Sequence, residues 1–544
     1  MRLQGLALRA ARRLAESAAG GRLVRQKVFH DYGIDELLAL PASCRRPLYI
    51  HAGPLEQQSR RGWPGADLAP PSPPSDRMTV AGLQSAFQGG ETTPSEVLDD
   101  IFERIDDAEF GPATFSPFRC LDRDRATRAA RQSTQRYGAD EARSALDGIP
   151  VPVKDHFAMQ DLQTFAGGCH PVDEPDGDAH LIDALRGAGA LLYAKTHTTE
   201  WGMDPCGYSP HVSMPRNAYD CNHAAGGSST GSAACVAAGL APVAVGSDGG
   251  GSIRIPAALN GLFGLKPTFV RIGRSGDSFA ANSVSVSGPI GASTADVVEF
   301  MAATATVDDP DDPARRWGPD QRNLGERWRR AMSRGVDGCR IAIPTAQWDA
   351  LDEPLQQPSL DALRRLEDDG AELVDVDIPL LDHAPAIGVL TIGMETLANL
   401  QDLYADRAAT FGESLRMTLA MLRTVDHAPV IAARRTRAAL RHILRDTLDD
   451  VDLLALPTTR TTAPRYSVDL DGVDITDDGA LRDMTRFTFL ANITGLPAGT
   501  VPVGRHDGLP FGLQFVGGAW DEASIIAAMA HAERQGWAPL HAVR

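Results

Sequence analysis

Two glycine-serine segments between residues 226 and 256 limit the fold of this chain more than any other feature. The first is Gly226-Gly-Ser-Ser-Thr-Gly-Ser232, and the second is Ser247-Asp-Gly-Gly-Gly-Ser-Ile-Arg-Ile-Pro256. A small-residue helix, Ser232–Gly239, and an apolar strand, Pro242–Gly246, are expected between them. The second segment therefore reads as strand, glycine turn and helix start. Three successive glycines reach conformations closed to other residues, so their amides can converge on one point. Convergent amides at a helix start are what a developing oxyanion requires. Ser252 stands where its hydroxyl could attack the carbonyl held there. Taken alone, the same residues would also make a plain serine-capped turn.

Other uses of glycine fit less well. Gly226 and Gly231 have the spacing of a phosphate-binding loop, but Ser232 occupies the position that must be lysine. No G-x-G-x-x-G precedes an acidic residue in a βαβ setting, which disfavours a dinucleotide site. From Met78 onward helical and strand patterns alternate, and this predicts an α/β fold with a covered, mixed sheet. Thr93-Pro-Ser-Glu96 predicts a capped helix start. Gly148–Val153 and Ala190–Ala194 read as buried strands around a helix at His180–Gly187. Leu453–Leu456, Gly499–Val503 and Gly512–Val516 read as later strands, and Asp521–Gln535 as the last helix. A long helical region, Pro385–Asp449, interrupts the alternation and could cap the sheet.

Ala69-Pro-Pro-Ser-Pro-Pro-Ser75 reads as a linker. It divides an extension, 1–75, from a main body, 76–544. Residues 1–68 carry eleven basic and six acidic side chains, whereas the whole chain has a net charge of −18. That acidity argues against a nucleic-acid partner. No apolar run is long enough for a membrane span. The basic start, Met1 to Lys27, reads as a solvated amphipathic helix. The extension could pack on the body or serve an interface such as that of a homodimer, and it is not expected to be needed for the chemistry. Seven irregularly spaced cysteines argue against a disulfide framework and for the cytoplasm. Cys206, Cys221 and His223 match no zinc spacing, so neither a metal nor another cofactor is expected.

The run Gly226–Thr268, GGSSTGSAACVAAGLAPVAVGSDGGGSIRIPAALNGLFGLKPT, resembles the signature of the amidase signature family. Gly148-Ile-Pro-Val-Pro-Val-Lys-Asp155, Asn492-Ile-Thr-Gly-Leu-Pro497 and Gly508-Leu-Pro-Phe-Gly-Leu-Gln-Phe-Val-Gly517 extend the likeness. The resemblance implies that family's fold, a central mixed sheet covered by helices on both faces. It implies a Ser–cis-Ser–Lys triad with Ser252 as nucleophile, Ser228 as bridge and Lys154 as base. It also implies a cis bond between Gly227 and Ser228. Gly249, Gly250, Gly251 and Ser252 correspond to the oxyanion-hole backbone, and Ser229 to a hydrogen-bonding neighbour of the triad. Asp248 and Arg254 match positions that hold the loops. Thr230 stands where glycine is usual, and Ser247 where threonine is usual.

The implied chemistry is physically coherent. Serine needs a base and an amide nitrogen needs a proton to leave, and one neutral lysine can serve both needs. Asp155 is expected to face away from Lys154. A Ser-His-Asp arrangement through His156 is the rival mechanism. The expected substrate is a small-molecule carboxylic amide, with esters or carbamates accepted by the same acyl-enzyme. Alternatives are the glutaminase subunit of a tRNA-dependent amidotransferase and a non-catalytic binding protein. The late DGVRYG-like element of that subunit is missing after Leu456. Pocket walls are expected from 385–425 and the loop after Leu456. Trp201, Tyr208 and Phe487 are candidate lining residues, with Cys169 and Cys206 nearby as buried thiols.

Overall fold

A computed structural model describes residues 2–41, 63–72, 77–107, 117–172, 177–312, 314, 318–319, 323–466, 470 and 472–537. The linker boundary at residue 75 and Cys44 lie outside these residues.

The capped helix forms as its sequence predicts. Thr93 accepts from the Glu96 amide, the Glu96 side chain accepts from the Thr93 amide, and Pro94 fills the first turn. Such elements cover one eleven-stranded mixed sheet. From one edge its strands run β2 (Phe118–Leu121), β4 (Ala194–Thr196), β3 (Val153–Lys154), β5 (Val243–Asp248), β7 (Val286–Gly291) and β6 (Phe263–Lys266). The order continues through β12 (Ala498–His506), β13 (Leu509–Gly517), β10 (Leu453–Pro457), β8 (Arg340–Ile343) and β9 (Glu372–Asp375). β3 runs parallel to both β4 and β5, while β12 and β13 form an antiparallel hairpin. Strands β3 to β7 are buried throughout, as the central strands of a covered sheet must be.

Two strands are shorter or displaced relative to the sequence pattern. Pro150 and Pro152 have no N–H to donate, so Ile149–Val151 meets Leu191 only through an isolated bridge and its two flanking bonds. Regular pairing starts at Val153, which shifts β3 to Val153–Lys154 and β4 to Ala194–Thr196. The last helix, Glu522–Arg534, is capped by Asp521 through the Ser524 amide.

The region after 384 is helical, as its pattern predicts: Ala384–Arg407, Glu413–Leu422 and His427–Asp450. The N-terminal segment departs from the solvated helix expected of it. It forms strand β1 (Arg2–Gln4) and helices α1 (Gly5–Glu16), α2 (Ala18–Asp31) and α3 (Ile34–Ala39). β1 pairs antiparallel with β11 (Ile475–Asp477) in a separate two-stranded sheet. Leu8 and Ala15 are buried, and Phe29, Ile34 and Leu37 join a core cluster with Ile387 and Leu444. Burying those apolar side chains holds the segment against the body.

Candidate active site

Lys154 ends the two-residue strand β3, third from one edge of the sheet, and is fully buried. Its Nζ donates to Ser228 Oγ at 2.8 Å and to Ser229 Oγ at 3.1 Å. Burial pulls its pKa down to about 7, although the charge of Asp248 works in the opposite direction. Ser229 Oγ donates to the Ser247 carbonyl at 3.1 Å and accepts from the Ser247 amide at 3.2 Å. This ties the first glycine-serine segment to the end of β5. The Gly227–Ser228 peptide bond is cis. Thr230 opens the buried helix Thr230–Ala237, and its methyl group faces the backbone of Gly207.

Ser228, Ser247, Gly249, Gly250 and Ser252 line one cavity of about 400 Å³. The glycine turn is clamped from behind. Arg254 holds Asp248 with two bonds of 3.0 Å and reaches Gln514 at 2.7 Å, Asn492 at 2.6 Å and the Thr488 carbonyl at 2.9 Å. All of these groups are buried. Burial alone would raise the Asp248 carboxyl, but Arg254 brings it to about 2. Asp248 also accepts the Gly251 amide at 2.7 Å. Gly251 therefore spends its N–H on the clamp, leaving Gly249, Gly250 and Ser252 as the turn's amides without an internal partner among the described residues. Gly251 has a φ of 128°, where a side chain would be strained, and a Cβ there would meet Thr488 at 2.5 Å.

The rival histidine arrangement has no orienting carboxylate. His156 is buried and held neutral by that burial and by Lys154 and Lys195. Its Nε2 has no hydrogen-bond partner among the described residues, and its Nδ1 lies 3.5 Å from Ser247 Oγ. Asp155 faces the other way and pairs with buried Lys195 at 2.8 Å. Cys221 is exposed, and His223 pairs with Asp220 at 2.9 Å. No group of three or more His, Cys, Asp or Glu among the described residues is arranged to hold a metal ion.

Besides the glycine turn and the stretches 279–285 and 474–485, the cavity walls come from three places, and the loop expected after Leu456 is not among them, since no described residue of 457–473 lines the cavity. Val389, Ile392, Leu415, Met417 and Met421 belong to the helical region beyond 384, as anticipated. Trp201 and Tyr208 line the cavity, but Phe487 does not, and Phe489 takes that place. Phe487 is packed away, its carbonyl accepting from Gln514. Neither Cys169 nor Cys206 lines the cavity, and Cys169 is exposed rather than buried. The third wall was not foreseen. Ala11 of α1 and Leu23, Val24, Lys27 and Val28 of α2, with Tyr32 just past its end, line the same cavity as Ser252. The only sequence signal for this wall was amphipathic periodicity, which names no partner. Glu200, a buried residue that also lines the cavity, pairs with His211 at 2.7 Å and accepts the Gly412 amide.

Comparison with known proteins gives a consistent result. Residues 97–526 match the model of the family described as Amidase. The chain is 32% identical over 459 residues to a fatty acid amide hydrolase of Arabidopsis thaliana, covering 82% of this chain and 74% of the relative. It is likewise 32% identical over 481 residues to a glutamyl-tRNA(Gln) amidotransferase subunit of Halorhodospira halophila, covering 83% and 95%. Among solved structures, the native peptide amidase of Stenotrophomonas maltophilia superposes with a TM-score of 0.72 at 27% identity, covering 86% of this chain and 99% of that one.

Proposed function

Because the chain belongs to the amidase signature family, and so hydrolyses carbon–nitrogen bonds of amides by serine chemistry, we propose that Ser252 is its nucleophile. Ser228 is the proton relay and Lys154 the general base. One observation carries this reading: a fully buried lysine with a pKa near 7 hydrogen-bonds the serine that shares a cavity with Ser252. A neutral amine can accept a proton at physiological pH, which an ordinary lysine cannot.

In the proposed sequence Lys154 takes the Ser228 proton as Ser228 takes that of Ser252. Ser252 Oγ then bonds the carbonyl carbon, and negative charge gathers on the carbonyl oxygen before the Gly249 and Gly250 amides. The C–N bond breaks as the proton returns through Ser228 to the departing nitrogen. Water repeats the relay on the acyl-enzyme and releases the acid. Asp248 and Arg254 hold the glycine turn without touching the reacting atoms, and Ser229 holds Lys154 Nζ through the hydrogen bond it accepts.

The substrate we propose is an amide with an extended apolar arm. Support comes from the wall of Val389, Ile392, Met417, Met421 and Phe489, and the similarity to a fatty acid amide hydrolase points the same way. The amidotransferase similarity favours a glutaminase reading, but the hydrocarbon part of the wall offers little to the polar ends of free glutamine. The test is labelling with a small fluorophosphonate, read by peptide mass spectrometry, beside turnover of glutamine and of anilides of graded acyl length. Label on Ser252 and cleavage of anilides over glutamine are expected. Label elsewhere, or turnover retained in Ser252→Ala, would remove the assignment.

A further inference from the structure

We propose that α2 is a specificity element of the active site, with Val24, Val28 and Tyr32 as the stripe that gauges the length of the substrate's apolar arm. The proposal deepens the amidase reading above and rests on it. Residues four apart fall on one helix face, so these three form a continuous ridge. That ridge spans about 12 Å along the helix axis. All three side chains are half-buried and line the cavity that holds Ser252 and Gly250. Met417, Met421 and Leu422 line the same cavity from the helix Glu413–Leu422. The two valines can offer a ligand only hydrocarbon. A short amide bound at Ser252 gains nothing from a ridge it does not reach, whereas a long apolar arm loses water against it.

A wall must be fixed in place to discriminate, and this one is. Arg12 of α1 pairs with Glu413, while Glu16 pairs with Arg416 at 3.0 Å. Arg25 of α2 donates to the Thr424 carbonyl at 2.7 Å, past the end of the Glu413–Leu422 helix. At the far end of α2, Arg482 lies 3.5 Å from Asp31, and Phe29 is buried in the core cluster it shares with α3. β1 ties the start of the segment to β11. These bonds fix the wall to the helix Glu413–Leu422, which lines the same cavity beside it.

The experiment uses the full chain and two series of substrates. One series is p-nitroanilides of acetic, hexanoic and dodecanoic acids, and the other is acetamides of short and long alkyl amines. The readout is the ratio of kcat/KM between the longest and shortest members. In the wild type this ratio should exceed one in at least one series, and that series identifies the arm lying against α2. Val28→Trp, which narrows the cavity, should lower the ratio by at least tenfold. The pair Val24→Ala with Val28→Ala removes only methyl groups from half-buried positions, so it keeps the test open if the tryptophan variant does not fold. It should move the preferred length to longer chains. A length profile identical to wild type in the folded variants, or no length dependence in the wild type, would overturn the proposal. Failure of the fluorophosphonate to label Ser252 would instead overturn the underlying amidase assignment.

Discussion

Lys154 shows how much one position can be read from sequence. The apolar run before it and the order Val-Lys-Asp suggested a desolvated amine with its acidic neighbour turned away. The amine is buried, and Asp155 is paired with Lys195. The pH dependence follows directly. With a pKa lowered to about 7, Lys154 is mostly charged and inactive as a base below that value, and mostly neutral above it. Single-turnover acylation should rise with pH and level off above about 8. Lys154→Ala should slow it by about 10²–10⁴-fold, and Lys154→Arg should not restore it, because guanidinium stays charged. Near-normal acylation in the arginine variant would reduce Lys154 to a fixed charge. The Gly251 amide was less legible. Three equivalent glycines in a row do not show which N–H will be taken by the carboxylate beside them, because that depends on how the turn folds back on Asp248.

At the scale of elements, helices with local signals were legible: the Thr93 cap and the Asp521 cap both lie within one turn of sequence. The strands around Lys154 were harder to place. Their apolar runs are correct, but Pro150 and Pro152 decide where regular pairing can begin. The clamp behind the glycine turn draws on distant segments, Thr488, Asn492 and Gln514, and its energy can be measured. Arg254→Met leaves Asp248 buried without its partner and should cost about 3–5 kcal/mol in denaturant unfolding. Arg254→Lys should recover only part of that, since it lacks the planar fork. A loss below about 1 kcal/mol would mean that the pair is not the anchor of the turn. Gly251→Ala tests the turn itself. Its φ and the contact with Thr488 should cost about 1–3 kcal/mol and slow acylation by about tenfold or more as the neighbouring amides shift. Unchanged acylation would show that the turn can relax without displacing its donors.

For the molecule as a whole, the α/β class was evident from alternation and the helical region from its interruption, while the wall formed by α1 and α2 was not. Its partners stand far off in sequence: Arg12 and Glu413 are 401 positions apart. No periodicity within the extension can name such partners. The described residues contain no helix long and apolar enough to cross a membrane. Prolonged dialysis against EDTA should leave amide turnover within about twofold of the untreated enzyme, since the proposed relay needs only side chains. Loss of turnover restored by one divalent metal would demand a different mechanism. The pairing of β1 with β11 bears on biosynthesis. The Asp31 carbonyl meets its Arg482 partner only when a residue 451 positions later has left the ribosome. Domains fold as they emerge, so α1, α2 and α3 must wait, with Leu8, Phe29 and Leu37 not yet covered, until the helices between 384 and 450 that pack on them have been made, and β1 waits longer still for β11. A translating chain halted before residue 384 should therefore bind a holdase chaperone through this segment, and should release it once the helices up to Asp450 are out. Equal capture before and after that point would show that the wall docks by some other order of events.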